Sequence, residues 1–378
     1  MRIAVVHSFY RTSIPSGENA VVRLLVSALR ERGHEVRLIS RVTPDKPSVV
    51  RSVRFAGTVS TGVGPDPLDE LRSFRPDVTH VHNLFPGFGD RWPSAWSGPL
   101  VASLHNYRPL CASGILFRDG EPCVECVTDS AVAGLRHACY RGSRTATLPL
   151  TISHLGGLER NRLLRRADLI TVPSPRAREH YLAAGLDPRS LRVLPSGHQP
   201  VTSSPHPPPD GPRWIAAGRF VPEKGFMDLV DWWPMDGSLD LVGDGPQGAA
   251  LRDAAGPGVS VLPPLDHQSY LERLENYTGF VFASMWPETQ GMAVVESLAA
   301  GVPVVARTGS AGADLVAELD PRLLYSDPRS LAESLQYVTA SGMDLRRRAY
   351  GFFQRHFTKE KWMIALEETY DEAIGGLR

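Results

Sequence analysis

Arg213-Trp214-Ile215-Ala216-Ala217-Gly218-Arg219-Phe220-Val221-Pro222-Glu223-Lys224-Gly225 joins a short apolar run to a basic turn. Arg213 to Ala217 has the length and apolar content of a buried strand, and Gly218, Pro222 and Gly225 punctuate the turn that follows. In open α/β sheets, ligands bind in the crevice outside the carboxyl ends of the strands. Arg219 and Lys224 would be two fixed cations at such an end. Arginine suits bidentate contact with a diphosphate, and lysine acts as a point charge. A solvated basic turn reads the same way, so the flanking sequence has to decide. Only four of the 41 basic residues are lysine, a bias of GC-rich bacterial genes, which makes a lysine here conspicuous.

Downstream, apolar runs at Leu239–Val242, Val259–Leu262, Gly279–Phe282 and Val302–Val305 alternate with helical stretches. After the third comes Pro287-Glu288-Thr289-Gln290-Gly291-Met292-Ala293-Val294-Val295-Glu296, in which Gly291 opens a helix. The first amides of a helix have no internal partner and carry partial positive charge, so phosphate oxygens fit there. Glu288 precedes this helix and Glu296 lies within it, so the two can reach one crevice from different elements. Acidic residues that merely complement the helix dipole would look alike.

Upstream, Pro200, Pro205, Pro207, Pro208, Pro209 and Pro212 predict an extended connector. Before it, Ile3–Val6, a helix through Val21–Leu29 stopped at Gly33, and Glu35–Ile39 form a βαβ unit. Further strands are predicted at Val78–Val81, Leu100–Leu104, Leu169–Val172 and Leu191–Leu194. The expected fold is α/β, with two Rossmann-like domains facing a central cleft. The first spans 1–199, the linker 200–212 and the second 213–359, with a C-terminal helix over 360–378 packing back on the first.

Across 378 residues, 41 basic and 41 acidic side chains cancel, which argues against nucleic acid as a partner. A hydrophobic fraction of 42% with 22% charged residues is that of a folded globular chain. No run is long enough to span a bilayer, and the first apolar run ends at His7. A cytoplasmic protein is expected.

Taken together, the chain resembles the retaining glycosyltransferase family 4, with the GT-B fold, over essentially its whole length. The resemblance rests on Gly218-Arg219 through Glu223-Lys224-Gly225, on Gly243-Asp244-Gly245-Pro246, and on Glu288 to Glu296 followed by Gly301-Val302-Pro303-Val304-Val305. It implies that Arg219 and Lys224 bind the donor diphosphate, that Glu296 holds the nucleotide ribose and that Glu288 holds the donor hexose. Gly243, Gln290, Gly291, Met292 and Ala293 would line the phosphates or the sugar. In the first half, Pro15-Ser16-Gly17-Glu18 occupies the family's glycine-rich position, which places Gly17 among the donor-binding residues. His105 matches its active-site histidine, expected to face the donor sugar. The implied reaction moves a hexose, most simply from a UDP-sugar, to a hydroxyl of a glycan, glycolipid or natural product. No Asp-x-Asp pair is present, so no catalytic metal or other catalytic cofactor is expected.

Two other classes fit parts of the chain. Gly243-x-Gly245-x-x-Gly248 with Asp266 matches a dinucleotide fingerprint, which would make an NAD(P)-dependent oxidoreductase. A non-catalytic nucleotide-sugar binding protein would share every binding residue. Cys111, Cys123, Cys126 and Cys139 lie close in sequence, with metal-ligand spacing at Cys123-x-x-Cys126. Structural zinc, free or redox-labile thiols, and disulfides all fit them, the last disfavoured in a reducing compartment. From Arg136 to Arg166 seven arginines face one acid, Glu159. A solvated face, an anionic acceptor and peripheral contact with an anionic membrane are the readings.

Overall fold

The computed structural model describes residues 1–10, 16–234 and 237–376. The chain divides into two compact units. Unit 1 holds residues 1–118 and 123–195 and the chain from Met363 on, and unit 2 holds 119–122 and 196–362.

Unit 1 is built on a parallel six-stranded sheet of β1 (Arg2–Phe9), β2 (Glu35–Val42), β3 (Val78–Asn83), β4 (Leu100–Ser103), β7 (Leu169–Val172) and β8 (Leu191–Val193), in the order β2-β1-β3-β4-β7-β8. A hairpin of two-residue strands, β5 (Phe117–Arg118) and β6 (Glu121–Pro122), interrupts the chain after β4. The central strands are buried along their whole length, as strands covered on both faces must be.

Unit 2 repeats the plan with β9 (Arg213–Arg219), β10 (Ser238–Asp244), β11 (Val259–Leu262), β12 (Gly279–Phe282), β13 (Val304–Arg307) and β14 (Leu324–Tyr325). Its order, β11-β10-β9-β12-β13-β14, reverses direction between β9 and β12. This is the 3-2-1-4-5-6 arrangement of dinucleotide-binding sheets, and its reversal opens a crevice at the strand carboxyl ends. A glycine decides how closely β9 and β10 approach. Gly243 pairs with Gly218, and a Cβ at position 243 would fall 1.9 Å from the Gly218 carbonyl oxygen.

The unit boundary falls at Pro195, ahead of the proline-rich stretch. That stretch packs on unit 2: the Val201 amide donates to the Ala299 carbonyl, and the Tyr350 hydroxyl donates to the Thr202 carbonyl. The helix Lys359–Gly375 leaves unit 2 and joins unit 1 from Met363 onward, where Tyr370 is fully buried.

Candidate active site

In unit 2 the reversal point brings together the loops after β9 and β12. The Met285 amide donates to the Glu223 carbonyl at 2.9 Å, which ties the two loops together. On the first loop, a single 3-10 turn, Pro222–Lys224, is closed by Gly225 and presents Lys224. Lys224 forms an ion pair with Glu288 of the second loop. The same oxygen, Glu288 Oε1, also accepts from the Ser284 hydroxyl at 2.7 Å and the Trp286 indole N–H at 3.0 Å. Glu288 is only 6% exposed, so these donors replace the water it has lost. An ammonium has three donors, and this ion pair engages one of them. Arg219 is half-exposed, 3.8 Å from Glu223.

Beyond Glu288, Gly291 adopts φ +80° and starts the helix Met292–Ala299. A side chain there would crowd Phe282 and Gly312 at 3.1 Å, so glycine allows the helix to begin against the sheet. Glu296 lies within that helix. Burial pushes its carboxyl up to about 8, and Oε1 is 3.1 Å from His267 Nε2. His198 adds a second ring, its Nδ1–H donating to the Gln199 carbonyl at 2.7 Å. Among the described residues, His198, His267 and Glu296 are the one group of three potential ligand atoms within 4.8 Å of one another. Neither histidine was expected from the sequence, since a lone histidine outside a motif carries no signal.

Two expectations change. Gln290, expected among the donor residues, spends both ends of its side chain elsewhere: Oε1 accepts from the Ser196 amide at 2.9 Å and Nε2 donates to the Ser196 carbonyl at 2.8 Å. Its side chain anchors the chain where it enters unit 2, and only its backbone is left for a ligand. Asp266, the acidic residue of the dinucleotide fingerprint, caps the helix His267–Leu274 through both carboxylate oxygens, which accept from Ser269. Gly243 sits in β10, the second strand of its domain, where the fingerprint normally follows the first.

In unit 1, Gly17 is the first residue of the helix Gly17–Glu31, capped by the Ser16 side chain. Pro15 lies outside the described residues. Next to Gly17, burial pushes the Glu18 carboxyl up to about 7, while Asn106 Nδ2 donates to its Oε2 at 2.8 Å. His105 follows β4, and its Nε2 shares a 2.7 Å hydrogen bond with His82 Nδ1 from β3. The two rings stack at 5.1 Å, and His7 of β1 meets the His82 ring edge-on. The sequence reading singled out His105 and missed His7 and His82. The available signal was His80-Val81-His82, which puts two polar rings on one face of a buried strand.

Residues 15–200 match Glycosyltransferase Family 4, and residues 211–341 match Glycosyl transferases group 1. The chain belongs to glycosyltransferase family 4. That family is a retaining one, so this chain is a glycosyltransferase and the oxidoreductase reading falls. Over 100% of its length this family 4 enzyme is 27% identical to a GDP-mannose-dependent alpha-mannosyltransferase of Mycolicibacterium smegmatis, covering 99% of that protein. Among solved structures, sucrose-phosphate synthase from Thermosynechococcus elongatus superposes with a TM-score of 0.71 at 19% identity, over 99% of both chains. Anabaena HepE in complex with UDP and glucose gives 0.65 at 16%, over 98% of this chain and 99% of that one. The fold is GT-B.

Proposed function

We propose that unit 2 binds the nucleoside diphosphate of an activated hexose, that the donor is GDP-mannose, and that the sugar passes with retention to an acceptor hydroxyl. The observation that carries this reading is the reversal point of the second sheet, where the Arg219–Lys224 loop is joined to the Glu288 loop that leads into the Gly291 helix start. Arg219 and Lys224 neutralise the diphosphate, the amides of Met292 and Ala293 meet its oxygens, and the Glu296 carboxylate accepts from the ribose hydroxyls. Glu288, held by Ser284 and Trp286, orients the hexose.

The bond from the anomeric carbon to phosphate oxygen breaks as the bond to the acceptor oxygen forms on the same face. The acceptor proton passes to the departing phosphate oxygen, so no protein base is required. Preorganised charges aimed at the leaving group supply the main electrostatic stabilisation.

Guanine replaces the uridine expected from sequence because of the full-length relative's name, together with that of a second relative, from Mycobacterium tuberculosis, also 27% identical. A thermal-shift comparison tests this. GDP-mannose at about 100 times its Kd should add about 2.7 kcal/mol of stability, and UDP-glucose at the same concentration should add less. A larger shift with UDP-glucose rejects the guanine reading, and unchanged shifts in both Lys224→Ala and Glu296→Ala reject the site.

One surface of unit 1 supports a membrane-bound acceptor. The helix Val49–Thr61 leaves Val49, Val50 and Val53 exposed alongside Arg51 and Arg54, and it packs against the helix Arg144–His154. That second helix exposes Leu148 and Ile152, and Arg136, Arg141 and Arg144 nearby are exposed as well. Arg162 and Arg166, by contrast, are tied to Asp90 and Asp168. Apolar side chains flanked by arginines fit the boundary of an anionic bilayer. No described helix is long and apolar enough to cross a membrane. The chain should sediment with phosphatidylglycerol vesicles at low salt and be released by Val50→Glu/Val53→Glu. Equal sedimentation of both proteins removes this surface from the reading.

A further inference from the structure

Cys111, Cys123, Cys126 and Cys139 lie in unit 1 between β4 and the helix Arg144–His154, and none is in a disulfide. Little regular structure holds that segment. It has helices of four and five residues, Glu125–Thr128 and Val132–Arg136, and the two-residue hairpin. Yet it carries four of the five described non-glycine residues at positive φ: Leu116, Asp119, Ala138 and Arg141. Asp119 and Gly120 form the two-residue turn of the hairpin, where positive φ is preferred. At Leu116, Ala138 and Arg141 such backbone costs on the order of 1–3 kcal/mol and persists only where the surroundings over-determine it. Two one-turn helices do not supply that constraint.

The cysteines converge on Gly134. A Cβ at Gly134 would lie 3.2 Å from Ala112 Cβ and 3.4 Å from Cys126 Sγ. The Gly134 carbonyl accepts from the Cys139 amide at 3.0 Å. Because Cys111 precedes Ala112, three cysteine-bearing pieces of chain approach one glycine; the Cys126 sulfur lies against it, while Cys111 Sγ sits 3.1 Å from Ser113 Oγ. Cys123 stands three positions before Cys126, its own amide donating to the Leu116 carbonyl at 2.8 Å.

We propose that these four thiolates hold one structural Zn2+ that clamps the segment after His105. Each thiol releases its proton to solvent as the ion binds, leaving four sulfur-zinc bonds and a net charge of −2. No three of the sulfurs meet the 4.8 Å spacing of the His198 group, so binding draws the turns bearing them inward.

The purified full-length chain should contain about one zinc, released by an organomercurial reagent in step with thiol titration. Exchange with Co2+ under reducing conditions should give a thiolate-to-cobalt charge-transfer band, which histidine and carboxylate ligands cannot produce. The band should survive His267→Ala and weaken in Cys126→Ser and Cys139→Ser. Where a serine variant fails to fold, the cobalt spectrum of the unaltered chain decides. A folded chain with only trace zinc and no such band overturns the proposal, as does stoichiometric zinc retained after all four thiols are modified.

Discussion

Replacing Lys224 by methionine should lower the efficiency of GDP-mannose turnover by about 10²–10³, the usual loss for one preorganised group at a developing charge. Lys224 has two tasks in the proposed site. It meets the leaving diphosphate, and it balances the buried Glu288 carboxylate, whose Oε1 also accepts from the neutral donors Ser284 and Trp286. Breaking a buried ion pair from one side typically costs about 3–5 kcal/mol, so the variant should also melt earlier. The two effects separate in the double variant Lys224→Met/Glu288→Gln. Without a charge to strand, that protein should recover most of the lost stability and none of the lost turnover. Rates of GDP release and thermal melts of the wild-type, single and double variants form the measurement. Turnover within threefold of wild type in Lys224→Met would remove the lysine from the reaction.

Unit 1 should unfold in mild acid, with a midpoint near pH 5. Burial holds His7 and His154 down to about 4 and His80 and His105 to about 3, and it holds His82 well below its ordinary value. In the unfolded chain these rings take protons near the ordinary value of 6.5, well before the folded chain does. Their stabilisation is therefore complete above that pH and is lost as pH falls below it. At pH 5 each histidine gives up about 2 kcal/mol relative to pH 7, or about 9 kcal/mol for the five. Glu18 works in the opposite direction. Its folded value of about 7 is raised, so it takes up its proton in the folded state first and returns about 2 kcal/mol over the same interval. The net loss of about 7 kcal/mol rivals the whole stability of an ordinary domain. Far-UV circular dichroism across pH 7 to 4 measures it, and His7→Gln should move the midpoint lower. An unchanged spectrum at pH 4 would contradict the buried, neutral state of these rings.

Much of the donor unit was legible in advance because its signals are local. The strands over Val259–Leu262 and Gly279–Phe282 were read with their observed bounds, since short apolar runs between glycine and proline breaks admit few alternatives. The placement of Gly291 at a helix start held for the same reason. What a side chain does with its polar atoms was not legible. Gln290 stands inside the recognised motif, yet its amide serves Ser196, 94 positions away. Nothing in the spacing of residues could separate a glutamine that faces ligand from one that ties down backbone. Likewise, His82 and His105 share a hydrogen bond only because β3 and β4 are neighbours in the sheet.

By itself, the order of residues determined that this chain builds two parallel α/β sheets, puts cations after the first strand of the second, and opens a helix on glycine. Each of these follows from hydrophobic runs, backbone permissiveness and charge within a few positions. Tertiary structure alone decided that Lys224 neutralises Glu288 across 64 positions, that four histidines pack together in unit 1, and that Cys126 lies against Gly134. These pairings depend on which strand lies beside which. Burial then determines their energies, because a charge or a ring removed from water must be balanced by whatever the fold places against it.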